Sequence, residues 1–238
     1  MPYRMLFGGI DPTYILVLIG AVLCMLASAG VQSTFSQYSK VFSRTHMTGA
    51  EAARRLLDSQ GIYDVSIERV SGSLTDHYDP RTKTLRLSET VYGSQSVAAI
   101  GVAAHECGHA MQHAYGYFPL TLRSAIVPVA NFGSKFCWIL IIIGVLIGGS
   151  GSNLLIQAGI WCFLAVVIFQ LVTLPVEFNA SGRAVRLLDE QGILYQEEVG
   201  MTKKVLKAAA LTYVASAASA ILQLLRLLLL FGNRRGRD

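Results

Sequence analysis

The sequence predicts a mainly α membrane protein with a helical core, a small β-hairpin and three to four membrane helices. Three observations predict it. The 238 residues are 53% hydrophobic, with a mean hydropathy of +0.47, which is more apolar than a soluble domain. The apolar residues gather in long, charge-poor runs, each near the roughly 20 residues that a helix needs to cross a bilayer. Between the first two runs lies His105-Glu106-Cys107-Gly108-His109, set in helix-like sequence.

The first run is Pro12–Val31, without a charge. A cleaved signal peptide is its rival reading, because Ala27-Ser28-Ala29 resembles a cleavage site. Against that rival, only Arg4 precedes the run, and the apolar stretch is long. Ile126–Gly148 follows, broken by Lys135, and then Leu154–Leu174, which carries no charge. Gly149-Ser150-Gly151-Ser152-Asn153 joins these two as an antiparallel hairpin. The last run, Ala208–Phe231, is rich in Ala and Ser and holds Arg226. It reads as a membrane-embedded helix, with packing against the motif helix as the alternative.

The polar stretch Gln32–Leu122 is long enough for one small domain. Thr48-Gly49-Ala50-Glu51 has the spacing of a capping box. Ala52–Ser59 continues as helix, with Gly61 as a left-handed stop. Val65–Val70 alternates like a strand. Leu74–Tyr78 and Thr82–Leu87 are strand-like runs joined by Asp79-Pro80-Arg81, which predicts an antiparallel hairpin. The hairpin either holds an extended substrate along its edge or supports the neighbouring helix. Ser94 or Ser96 can cap the helix Ser96–Ala114. Arg183–Gly192 echoes Arg54–Gly61, which reads as two similar helix ends rather than a repeat.

The net charge of +5 does not indicate nucleic acid, and no nucleic-acid-binding motif is present. The basic residues mostly flank apolar runs, as they do beside an anionic membrane face. Cys24, Cys137 and Cys162 lie in apolar runs and Cys107 within the motif. Without a C-x-x-C pair they indicate neither a disulfide framework nor a cysteine metal site.

Residues four apart on a helix share a face, so His105 and His109 can hold one metal ion. Glu106 projects beside them, placed to take a proton from a metal-bound water. The surrounding Val97–Ala104 is small, apolar and uncharged, unlike a solvated helix face. A catalytic zinc takes three protein ligands and keeps one open position. His113 does not suit, since it lies roughly 12 Å along the helix from His105. It is a candidate for supporting the ligands instead. Glu177 directly follows the third apolar run. Two crossings separate it from His109, which returns the chain to the face it left. Glu190, Glu197 and Glu198 share that side but lie in charged, solvated sequence.

Ala103–His113, with its H-E-x-x-H, and Val176-Glu177-Phe178-Asn179-Ala180-Ser181 resemble the YugP-type zinc metallopeptidases of bacterial membranes. Leu74–Pro80 and Ala209–Ala215 resemble that family too. More distantly, the arrangement is similar to HtpX and the CAAX prenyl proteases. Those carry an Asp four residues after the downstream Glu, where this chain has Ser181. The resemblance implies a gluzincin-like helical core, a Zn2+ cofactor and a multi-pass place in a bacterial-type cell (plasma) membrane. The chain then divides into residues 1–31, an N-terminal membrane helix, and 32–125, the zinc-peptidase part. Residues 126–174 form a transmembrane hairpin, and 175–238 hold the third-ligand helix and the C-terminal apolar helix.

The expected function is peptide hydrolysis by zinc-activated water with Glu106 as general base and His105, His109 and Glu177 as ligands. His77, Tyr78, Arg183 and Tyr213 are candidates for contacting substrate or its oxyanion. His113, Asn179, Asp76 and Asp189 are candidates for supporting the ligands. Expected partners are a peptide or membrane-protein substrate and the lipid bilayer. The alternative is a metal-binding membrane scaffold or regulatory protein without hydrolytic activity. A transporter fits less well, because the spans are nearly free of ionisable groups. Lys40, Arg44, Arg54 and Arg55 follow the first span, against Arg4 before it, which places the catalytic side in the cytoplasm. Arg234, Arg235 and Arg237 then lie outside if the last helix spans, against that rule.

Overall fold

The computed structural model describes residues 11–232. Arg4, Arg234, Arg235 and Arg237, which enter the charge-based orientation, lie outside the described residues. The fold is mainly helical, in the order α1 (Tyr14–Tyr38), α2 (Gly49–Ser59), β1 (Ser66–Val70), β2 (His77–Asp79), β3 (Thr84–Ser88), α3 (Glu89–Tyr92), α4 (Val97–Ala114), α5 (Phe118–Ile147), α6 (Gly149–Glu190) and α7 (Gln196–Phe231). Two compact units form, each discontinuous in sequence. A bundle unit takes residues up to 26, 122–173 and those from 213 on. A site unit takes 27–121 and 174–212.

Among the described residues, α1, α5, α6 and α7 are long and apolar enough to cross a membrane. Each helix overruns its apolar stretch, because backbone hydrogen bonding does not stop where the lipid-compatible sequence does. In the bundle unit, Cys137, Ile141, Ile156, Ile160 and Leu227 form a small buried cluster. Leu18, Leu26, Leu146, Trp161 and Leu229 stay exposed. So much exposed apolar surface suits lipid rather than water as the solvent. The charge in the last run is accommodated locally: the Arg226 guanidinium lies 4.0 Å from the centre of the Tyr14 ring, a cation–π contact.

In the site unit, α2 begins with the expected capping box. Thr48 Oγ1 accepts from the Glu51 N–H at 3.2 Å, and the Thr48 N–H donates to the Glu51 carboxylate at 2.8 Å. Gly61 ends it in the left-handed region, at φ +70. Ala52, Ala53, Leu56 and Leu57 form its buried stripe and pack on α4.

The hairpin is present, as β2 antiparallel to β3 with Tyr78 opposite Leu85. It is shorter than the expected Leu74–Tyr78 and Thr82–Leu87. Leu74 sits at φ +58, outside the extended region, and Asp76 turns inward to accept from the Ser88 N–H and hydroxyl at 2.7 and 3.0 Å. The alternating segment joins the same sheet as β1, parallel to β3, giving the order β1-β3-β2. The central strand is β3, with Leu85 and Leu87 fully buried, while β2 keeps one edge unpaired by any strand among the described residues.

Glu198 departs from the solvated reading. Its side chain is buried and accepts from the backbone N–H groups of Arg44 and Tyr195, both at 2.8 Å. It caps α7 and ties down the segment after α1. Glu197 and Glu190 do lie at the surface, pairing with Arg44 and Arg186. Glu198→Ala leaves two N–H groups without their acceptor and is expected to cost about 1–3 kcal/mol. Chemical denaturation of the detergent-solubilised protein measures this. A change below a few tenths refutes the capping role.

Candidate metal centre

Ser96 starts α4 by accepting from the Ala99 N–H at 3.2 Å. Nearly every residue of its first two turns is buried, Val97 to Gly101 and Ala103 among them, so the helix is packed into the core before it reaches the two histidines. His105 and His109 stand one turn apart with ring centres 4.8 Å apart and planes at 83°. Glu177 enters from α6. Its Oε2 lies 3.3 Å from His105 Nε2 and 3.5 Å from His109 Nε2. Two ligands bound tetrahedrally to zinc at 2.0–2.1 Å are about 3.3 Å apart. The donor types suit zinc, the two Glu177 separations match that edge, and all three donors lie within 4.8 Å of one another. Glu177 is 2% exposed and Glu106 9%, so both carboxyl groups are largely withdrawn from water.

The far side of each imidazole is also held. His109 Nδ1 lies 3.0 Å from Gln112 Oε1. The Gln112 amide donates to the Val176 carbonyl at 2.8 Å and to Asn179 Oδ1 at 3.0 Å. With its N–H groups so engaged, Gln112 presents oxygen to His109. That fixes the proton on Nδ1 and leaves Nε2 for a metal. His105 Nδ1 lies 3.0 Å from Ser181 Oγ. Ser181 thus occupies the position of the expected carboxylate and meets the same imidazole with a hydroxyl. The support for His105 comes from this residue itself, not from Asp76 or Asp189.

Burial works against a charged His109, but the Glu177 hydrogen bond and the nearby Glu106 outweigh it and raise its pKa above the ordinary imidazole value. In the metal-free site a proton therefore competes for Nε2, and metal affinity falls as pH falls. Cys107 points away against α2, its Sγ 3.6 Å from the Ala53 carbonyl. Burial pushes its thiol up, so it stays protonated and offers no thiolate.

Close approach of α6 to α4 depends on Gly108. A Cβ there would lie 2.6 Å from the Ala180 carbonyl oxygen and 2.9 Å from its Cα, both backbone atoms that cannot rotate away. Gly108→Ala is expected to push Glu177 from the imidazoles and weaken zinc binding about 10–100-fold, the scale of losing a ligand's support. Competition with a chromogenic chelator reads this; unchanged affinity means α6 is not held by that contact.

The remaining candidates separate. Tyr78 Oη lies 2.9 Å from His113 Nδ1, which joins β2 to the motif helix, and burial pushes the Tyr78 hydroxyl up to about 12. His113 supports Tyr78 and is not among the grouped ligands. Asn179 Oδ1 accepts from the Gln112 amide and, among the described residues, does not itself meet an imidazole. Arg183 donates from Nε to Asn179 Oδ1 at 2.8 Å, with its guanidinium over the Tyr115 and Tyr117 rings. His77 is exposed and turned to the Thr75 carbonyl at 2.9 Å. Asp76 caps Ser88, and Tyr213 belongs to the bundle unit. Sequence reasoning missed Gln112. The available signal was an amide three residues beyond His109, on the same helix face.

Residues 13–232 match the model of a family described as "Putative neutral zinc metallopeptidase". The chain is also 49% identical over 226 residues to a protein of Bacillus subtilis (strain 168) described as "Putative membrane protease YugP", covering 94% of this chain and 98% of that one. No solved structure matches it. The likeness extends across the spans and the donor cluster alike, and the chain belongs to this family of neutral zinc metallopeptidases.

Proposed function

We propose that the chain is a membrane-embedded zinc metalloendopeptidase, with His105, His109 and Glu177 as ligands and Glu106 as general base. One observation carries this reading: Glu177 Oε2, from a distant segment, lies 3.3 and 3.5 Å from the two imidazole Nε2 atoms, near the edge length of a zinc tetrahedron, and the three donors lie within 4.8 Å of one another. When bound, zinc lowers the pKa of a water toward neutrality and polarises a scissile carbonyl. Glu106 takes the proton from the attacking water and delivers it to the amine as the C–N bond breaks. The water oxygen remains on the new carboxyl group. The edge of β2 that no strand among the described residues pairs suits an extended substrate added as a strand. Tyr78 is the best-supported oxyanion donor of the four candidates, since it is a neutral hydroxyl on that strand, tied to the motif helix.

The same reading puts the site unit in the cytoplasm, because Lys40, Arg44, Arg54, Arg55 and the Lys203–Lys207 cluster flank the spans on its side. Reporter fusions at Tyr115 and at the C-terminus test that orientation. For the activity, the purified protein is incubated with casein and with membrane proteins, then with 1,10-phenanthroline, then with added zinc. Cleavage that stops with the chelator and returns with zinc supports the reading. Bound zinc without cleavage supports a metal-binding scaffold in its place.

A further inference from the structure

A second feature of the site unit is a groove of about 420 Å³ between α6 and α7. Its floor is apolar: Leu206 and Ala210 are buried there, Val185 is half-buried, and Phe178 lies at its border, 49% exposed. Its rim carries Arg186, Lys203 and Lys207, and no carboxylate is among its lining residues. Among the described residues, Arg186 pairs with the exposed Glu190 at 3.7 Å. Lys203 and Lys207 stand one helical turn apart on one face of α7, and both line the groove.

Gly182 also lines this groove. It sits inside α6, where a glycine costs about 0.5–1 kcal/mol relative to alanine. No atom lies within 4 Å of where its Cβ would be. Packing therefore does not demand a glycine; its missing side chain leaves the groove open.

We propose that this groove binds one anionic phospholipid, with the phosphate on Lys203, Lys207 and Arg186 and an acyl chain along the Leu206–Ala210 floor. The chain's own layout favours a lipid over a soluble ligand. Lys207 immediately precedes the apolar run Ala208–Phe231, and Phe178 follows the run Leu154–Leu174 by four residues. Both walls thus leave the lipid-compatible sequence at the groove, where cationic side chains meet lipid phosphates. The groove also borders the metal centre, for Ser181 lines it while holding His105.

The test uses the full-length, zinc-loaded protein in neutral detergent, with binding read by native mass spectrometry. Dioleoylphosphatidylglycerol, dioleoylphosphatidylcholine, inorganic phosphate and hexaglutamate are titrated separately. One phosphatidylglycerol per chain is expected, bound at least 10-fold tighter than phosphatidylcholine. Lys203→Gln with Lys207→Gln, and separately Gly182→Leu, are each expected to weaken it at least 10-fold without loss of zinc. Equal binding of the two lipids overturns the proposal. So does unchanged binding in the Gly182→Leu protein, which places the lipid outside the groove. Inorganic phosphate or hexaglutamate binding as tightly as phosphatidylglycerol also overturns it, in favour of a free anion or an acidic peptide.

Discussion

Glu106→Gln is expected to lower kcat about 10²–10⁴-fold, the contribution of a positioned general base, while the protein keeps its zinc. The two halves of that result have separate physical origins. Glutamine matches glutamate in size, so the 9% exposed position is filled without a cavity or a clash. Glu106 is not among the three grouped donors, so its loss of charge leaves the ligand set intact. What glutamine cannot do is accept a proton from water and return it to a leaving amine. KM is expected to stay close to wild type, since the change acts on the transition state and not on substrate binding. Single-turnover cleavage of a peptide, with zinc quantified on the same sample, measures both. Full turnover in this variant removes Glu106 from the mechanism; loss of zinc moves it into the ligand sphere.

Legibility from sequence followed the range of the interactions involved. Three of the long helices announce themselves because twenty consecutive apolar residues have few other uses, while the fourth, with Arg226 inside Ala208–Phe231, leaves a second reading open. The capping box at Thr48 and Glu51 and the stop at Gly61 are set by neighbours three or four residues away, so local spacing suffices. His105 and His109 are readable for the same reason. Glu177 was reachable only by following the chain out through two apolar runs and back. What local spacing does not contain is the partner of each imidazole. Ser181 reads in sequence as the absence of a carboxylate, whereas in the fold its hydroxyl meets His105 Nδ1 at 3.0 Å, across the close approach of α6 at Gly108. Local spacing puts the Gln112 amide on the face of His109, but which of its atoms meets the imidazole is set by Val176 and Asn179, more than sixty residues away. Glu198 follows the same logic: composition shows a charged stretch, but only the fold brings the Arg44 N–H to that carboxylate. The parallel pairing of β1 also depends on three segments meeting, which alternation within one segment does not encode.

Glu177→Ala is expected to weaken zinc binding by more than the roughly 100-fold that marks the loss of an outer supporting residue. On the proposed reading the carboxylate is the one anion among the three clustered donors, and the only one of them contributed by α6. Gln112→Leu provides the comparison. It leaves all three donors in place but removes the acceptor that holds the His109 proton on Nδ1, and is expected to cost about 10–100-fold. The two variants also differ in pH dependence. In the wild type the Glu177 hydrogen bond helps raise the His109 pKa above its ordinary value. Protons then compete with zinc across the pH range from that raised value downward. Without Glu177, burial acts on His109 with less opposition and its pKa falls, so proton competition retreats to lower pH even though the affinity plateau is far weaker. Zinc titrations against a calibrated chelator at a series of pH values resolve both effects. A Glu177→Ala protein that binds zinc like wild type, with the same pH profile, would show that the metal is held by the histidine pair and some other donor.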